Sequence, residues 1–340
     1  MKKYLKKLMI NFMQVHKFLK MECVRSQRPL SELKLLFNGF FSLRKNYYQF
    51  DKYDKNLFLN DWEIEFNLKK INSHETKKYV TDKLYFGLLL QNMGISHLVG
   101  LVNYNRFIPL SKYNNIDAAL KEHGYIFVKP VTGSGGNGIY VAKSYEECKV
   151  RSPHVIELPI LQHEYANNIY SGSINTIRVM TIKDSKDIFI AGAFHRFGTN
   201  DSGCVDNISK GGIGANIDLN DGIMTAAIPN PIFKQNIVYK AHPNSGSQIE
   251  GIKVPYWDEV QCLAIKLTKM FPGLFYVGWD IAVTPNGPVV IEGNAEIANP
   301  HPMQAFLPML KNARIVQFMF NKGVISYKKK IKCNNILDHS

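Results

Sequence analysis

Apolar residues recur along this chain in two periods, and the period changes near residue 81. Over residues 4–19, Leu5, Leu8, Met9, Phe12, Val15, His16 and Leu19 fall three or four apart, while Lys2, Lys6, Lys7, Lys17 and Lys20 lie mostly elsewhere. That spacing predicts a basic amphipathic helix. Arg28-Pro29 and the polar run 45–55 interrupt further helices, so residues 1–80 read as a helical N-terminal region. From Thr81 the pattern predicts a helix over 82–93 closed by Gly94, and then short β-rich runs at 126–128, 139–142, 155–157, 176–181, 188–194, 212–218, 275–283 and 288–292. Helices are expected between them at 116–123, 255–270 and 303–320. The expected class is α+β, built from hairpins and not from an all-parallel sheet.

A length of 340 residues with 45% hydrophobic content is enough for one large domain or two to three smaller ones. Disorder, collagen and coiled coil are excluded by the same composition. No run reaches the roughly 18 apolar residues of a spanning helix, and lysines interrupt the first 20 residues too regularly for a signal sequence. A cytoplasmic chain is expected. Five dispersed cysteines without a C-x-x-C pair argue against a disulfide scaffold or structural zinc.

The net charge of +14 would suggest a polyanion binder if it were uniform. It is not. Residues 1–80 hold 17 basic and 8 acidic side chains, residues 81–321 hold 20 and 19, and residues 322–340 hold 5 and 1. The excess therefore belongs to the two ends, and no nucleic-acid partner is expected of the neutral body. The basic helix within residues 1–20 is open to two readings: packing on the protein body, or peripheral attachment to anionic lipid at the inner face of the membrane.

Two motifs in the body carry chemistry. Lys129-Pro130 precedes Gly133, Gly135 and Gly138, which satisfy G-x-G-x-x-G but run into the strand-like Ile139-Tyr140-Val141. A dinucleotide fingerprint or a P-loop would enter a helix at this point. Strand, glycine loop, strand instead describes a hairpin whose N–H groups can close over phosphates, with Lys129 as a nearby cation. An ordinary flexible hairpin is the competing reading. The second motif is Gly278-Trp279-Asp280, then Asn286-Gly287, then Glu292-Gly293-Asn294. An Asn-Gly turn between two apolar runs predicts a hairpin, with Glu292 and Asn294 two apart on one face and Asp280 on the facing strand. Three oxygen donors of this kind suit Mg²⁺ held between carboxylates and nucleotide phosphates.

Lys129-Pro130 with its glycine hairpin, paired with Asp280 and Glu292-Gly293-Asn294, resembles the ATP-grasp superfamily over residues 81–321. Asn175-Thr176-Ile177-Arg178, Val205-Asp206-Asn207 to Gly212, His242-Pro243 to Gly246 and Gly278-Trp279-Asp280 resemble its sugar-transfer-associated branch. The resemblance implies two α+β subdomains clasping ATP, one around the glycine hairpin at about 110–165 and one around the metal site at about 170–321. A helical region over 1–80 precedes them and a basic tail over 322–340 follows. It also implies ATP and Mg²⁺ as cofactors. Lys83, Lys129, Gly133, Ser134, Gly135, Gly136 and Gly138 would contact phosphates, Glu157 and Leu158 would form the adenine hinge, Gln162 would lie by the ribose, and Asp280, Glu292 and Asn294 would hold metal.

For a second substrate, Arg178 on an apolar strand requires an anionic partner. His195, Arg196 and Lys210 form with it a cationic group suited to an acyl-phosphate, and Asp206, Asn207 and His242 would touch the substrate. A structural salt-bridge network is the competing reading. The resulting expectation is a carboxylate–amine ligase in surface polysaccharide assembly, acting on small sugar-linked acids and amines. A small-molecule kinase and a non-catalytic, membrane-docked module of a glycan assembly complex are the alternatives.

Overall fold

The computed structural model describes residues 2–133, 137–230 and 237–338, with side chains from Phe12 onward. Five helices lead the chain: α1 (Lys2–Arg25), α2 (Leu33–Phe37), α3 (Asp61–Phe66), α4 (His74–Thr81) and α5 (Lys83–Gln91). Caps set several of their starts. Asn60 and Glu63 form a reciprocal capping box on α3, and Asp82 accepts from Tyr85 N to start α5. Ser134, Gly135 and Gly136 of the glycine loop lie outside the described residues.

The first sheet has five antiparallel strands in the order β2-β1-β5-β3-β4, from β1 (Leu98–Asn103), β2 (Arg106–Pro109), β3 (Ile126–Pro130), β4 (Tyr140–Ala142) and β5 (His154–Glu157). Helix α6 (Ile116–His123) lies against it, with Ile116 and Ala119 buried among Val99, Ile126 and Val128. β1 and β2 are additions to the expected strands. Their turn, Tyr104-Asn105, has both residues at positive φ (47° and 59°), the geometry of a two-residue hairpin without the glycine that usually signals it.

The second sheet follows α7 (Glu164–Ile169) and has the order β11-β10-β6-β7-β8-β9, again antiparallel throughout. Its strands are β6 (Ile177–Lys183), β7 (Ile188–Phe197), β8 (Ile213–Ile217), β9 (Met224–Pro229), β10 (Tyr276–Thr284) and β11 (Gly287–Asn294). Alternation along β6 divides the core. Ile177 and Val179 face α5 and α8 (Trp257–Met270) through Phe86, Leu90, Val260 and Leu267. Met180 and Ile182 face the opposite layer, where Leu57, Leu59, Ile64 and Leu68 of the N-terminal region pack with Ile315, Val316 and Met319. The helical N-terminal region thus shares one core with the second sheet.

The α+β class, its hairpins and the helical N-terminal region are borne out. The single helix expected over 303–320 is not. It is split into α9 (His301–Gln304) and α10 (Ala313–Asn321), because Pro308 cannot continue a helix and Asn312 starts the next one by accepting from Arg314 N and Ile315 N. Residues 322–340 were expected as a basic tail, yet Tyr327–Asp338 form α11, which buries Cys333 and pairs Lys329 with Glu63 at 2.5 Å.

Candidate functional site

The β10–β11 hairpin carries the three expected metal ligands, and its register decides where they point. Its turn is one residue earlier than the Asn-Gly pair suggests: Thr284 pairs with Gly287, leaving Pro285-Asn286 as the loop. From there Ile281 pairs with Val290, but Asp280 pairs with Glu292. Ile291 is therefore an extra residue, a β-bulge. In an unbroken ladder Asp280 would oppose Ile291, and Glu292 and Asn294 would face the other way. The bulge brings Glu292 and Asn294 onto the face of Asp280, with Asn294 Nδ2 3.2 Å from Glu292 Oε1 and 3.4 Å from Asp280 Oδ2.

Across β10 on the other side, Asp280 is paired with Arg178 of β6. Arg178 Nε and Nη2 both donate to the Asp280 carboxylate, Nη2 at 3.0 Å, and Nη1 donates to Ala298 O at 2.8 Å. Gly278 makes room for this: a Cβ there would lie 2.7 Å from Arg178 Cδ. Arg196 Nη2 reaches Asp280 Oδ2 at 2.8 Å, and its Nε lies 3.3 Å from Asp206 Oδ2. Thr176 links the two, donating from Oγ1 to Asp206 at 2.5 Å and accepting from Arg196 Nε at 3.1 Å. Thr176 was not among the expected site residues, although its place two before Arg178 puts it on the same strand face.

Burial opposes ionisation of Asp280, but the Arg178 and Arg196 guanidinium groups overcome it and hold the carboxyl well below its usual range. Glu292 moves the opposite way, raised by burial and then by the neighbouring Asp280 charge. Asp206 is also raised by burial, with Arg196 opposing. Asp280 is buried and already paired with two guanidinium groups, whereas Glu292 beside it is only half-buried, lines the cleft and is reluctant to ionise. With the Asn294 amide they fit a hard divalent ion. Among the described residues no three of His, Cys, Asp and Glu cluster as a metal site, and Asn294 turns its Nδ2 toward both carboxylates.

The opposite wall comes from the first sheet and α5. A cleft of about 550 Å³ lies between them, lined by Lys83, Thr132, Gly133 and Glu157 on one side and by Val290, Glu292 and Asn294 on the other. Lys83 Nζ donates to Gly133 O at 2.9 Å, and burial lowers its pKa while Glu292 opposes the shift. Lys129 Nζ pairs with Glu157 at 2.5 Å. Gly133 and Gly138 both take positive φ. Lys210 crosses from the second sheet's loop to this hairpin, donating to Asn137 Oδ1 at 3.1 Å.

Five expected residues are engaged elsewhere. His195 faces away from Arg196 because neighbours on a strand alternate; it is fully buried, stacked on Phe197, bonded to Tyr165 Oη at 2.7 Å, and burial pushes it down to about 3. His242 is buried against Tyr170 and contacts Gly198 O, and Asn207 accepts from Ser209 N as a turn cap. Gln162 is buried and bonded to Asn167, Ser173 and Asn175. Leu158 donates its N–H to His97 O, whereas Ile160 and His97, both unforeseen, line the cleft. A single cleft-facing residue at a strand end leaves no periodic signal.

Solved structures similar to this chain include an N5-carboxyaminoimidazole ribonucleotide synthetase from Thermotoga maritima, at 13% identity and TM-score 0.37, covering 65% of this chain and 43% of that one. They also include a D-alanyl-alanine synthetase A from Vibrio cholerae O1, at 12% and 0.41, covering 79% and 68%, and a D-alanine-D-alanine ligase from Coxiella burnetii, at 12% and 0.42, covering 79% and 64%. This chain thus spans less than half the length of the Thermotoga synthetase. A search of curated protein sequences finds no match. One family model, that of the sugar-transfer associated ATP-grasp family, matches residues 145–305, which include Arg178, Arg196, Asp280, Glu292 and Asn294.

Proposed function

We propose that this protein is an ATP- and Mg²⁺-dependent carboxylate–amine ligase that joins an amino acid or similar group to a sugar or sugar acid for surface polysaccharide. The observation that carries the reading is the cleft between the two sheets, cationic at Lys83 and acidic at Glu292. A carboxylate is a poor electrophile, so its oxygen attacks the γ-phosphorus of ATP, ADP leaves, and an amine then displaces phosphate from the acyl-phosphate. Asp280, Glu292 and Asn294 would hold Mg²⁺, which neutralises phosphate charge when bound. Lys83 and Lys129 bind phosphate oxygens from the opposite wall, and the glycine hairpin covers them. Ile160 at the cleft edge replaces Leu158 N–H as the hinge group facing adenine.

Arg178 has a narrower role than direct substrate binding. With its guanidinium committed to Asp280 and Ala298 O, it positions the metal ligand. Arg196, clamped between Asp206 and Asp280, is the cation placed to meet the transferring phosphoryl group or the carboxylate. The test is product analysis with ATP, candidate acids and candidate amines. Phosphate and ADP formed only when both acid and amine are present supports the ligase. A phosphorylated acceptor would identify a kinase, and no nucleotide turnover would identify a non-catalytic module.

A further inference from the structure

Helix α1 packs on the body through its C-terminal part. From Phe12 to Lys17 no side chain is buried, and packing on the body begins at Phe18, which lies against Phe41 and Trp62 with ring centroids 4.9 and 5.5 Å apart. Met21 joins the same cluster and Arg25 pairs with Glu65 at 2.6 Å. The body-facing side of the helix is therefore that of residues 18, 21, 22 and 25. A second apolar side stays uncovered: Phe12 is 74% exposed, and Val15 and Leu19, at the spacing of one helical face, are 46% and 41% exposed.

The charges on this arm are of one sign. Lys2–Arg25 contains seven Lys and Arg and a single acid, Glu22. That acid is fully buried, where it accepts from Ser26 Oγ at 2.6 Å, Leu30 N at 3.1 Å and Ser42 N at 3.1 Å. No acid of the helix is left on its surface. The next helix, α2, packs beside α1 through Leu36 and leaves Leu33 and Phe37 59% and 90% exposed, next to the exposed Lys34.

We infer that this arm docks the protein on an anionic phospholipid surface, with Phe12, Val15 and Leu19 inserted at the headgroup boundary and Lys20 toward the headgroups. Its apolar side supplies burial, and its uniformly basic remainder supplies attraction that a neutral surface would not return. A second copy of the chain would bring the same positive charges face to face, which disfavours self-association. No described helix is long and apolar enough to cross a membrane, so the attachment is peripheral. This inference is independent of the ligase reading: it would place an inactive protein on the same surface.

The test is co-sedimentation of the full chain with phosphatidylcholine vesicles, with and without phosphatidylglycerol. Binding is expected only with the anionic lipid and should be lost at about 0.5 M salt, where charges are screened. Phe12→Asp with Val15→Asp should lower partitioning by about tenfold or more and Lys20→Glu severalfold, each with an unchanged melting temperature because these residues are not buried. Equal binding to neutral vesicles, or no binding, overturns the proposal. So does a concentration-dependent dimer in light scattering that Phe12→Asp abolishes.

Discussion

Asp280 is held between two guanidinium groups inside the protein, and the energetics of that arrangement are asymmetric. Removing one partner of a buried pair leaves an unpaired charge and costs about 3–5 kcal/mol. Arg178→Met leaves Asp280 with Arg196 as its remaining partner and is therefore expected to lower unfolding free energy by less than that, about 1–3 kcal/mol in urea titrations, whereas Glu292→Gln, which keeps shape and leaves no orphan charge, should preserve stability and abolish nucleotide turnover. A stable, fully active Glu292→Gln protein would remove Glu292 from the site. His195 gives a pH signature. Burial holds it neutral down to about pH 3, while the unfolded imidazole titrates near 6.5. Its folded value is depressed, so its contribution is complete above pH 6.5 and is lost as pH falls, by about 1.4 kcal/mol per pH unit. His301, also buried and well below its ordinary value, adds to the same slope. Unfolding free energies at several pH values between 7.5 and 4.5 should show the His195→Gln variant with the shallower acid loss; parallel slopes would contradict the buried neutral imidazole.

At the scale of elements, the bulge at Ile291 does what no side chain in the hairpin does. It shifts the register so that Glu292 and Asn294 share a face with Asp280. Deleting Ile291 should give an unbroken ladder that still sets Glu292 opposite Asp280 and Asn294 opposite Gly278, and the expected result is ATP-dependent phosphate release retained together with the far-ultraviolet β signal. Loss of turnover in that variant would mean that the bulge does more than set which face Glu292 and Asn294 share with Asp280. The same reasoning explains why the β1–β2 hairpin was hidden. Alternation and an Asn-Gly or Asp-Gly pair are the readable signs of a hairpin, and Tyr104-Asn105 uses left-handed geometry with neither glycine. Tyr104 is 75% exposed and at φ 47°, so Tyr104→Gly relieves strain without losing packing. A gain of about 1 kcal/mol is expected in thermal unfolding.

The molecule as a whole brings two antiparallel sheets to one cleft, and Lys210 links a loop of the second sheet to Asn137 of the glycine hairpin. Lys210→Ala should weaken nucleotide binding severalfold by titration while leaving the melting temperature unchanged, since an exposed contact of this kind adds little to stability. What the amino-acid order determined by itself was everything carried by local period and residue type: the change from helical to strand pattern near residue 81, the hairpins, the neutral body with basic ends, and the two motifs that bear phosphate and metal chemistry. Those signals are local because side-chain alternation, capping and turn chemistry act over a few residues, and the phosphate and metal roles of the two motifs are the ones proposed above. The tertiary structure decided facing and engagement. It turned His195 into the core while pairing Arg196 with Asp206, bonded Leu158 N–H to His97 O, and joined Arg178 and Arg196 to Asp280, residues 102 and 84 positions away in the chain. Such pairings depend on which strands become neighbours and on a one-residue slip between them. Neither is written in any short stretch of sequence, because both follow from the packing of the whole sheet.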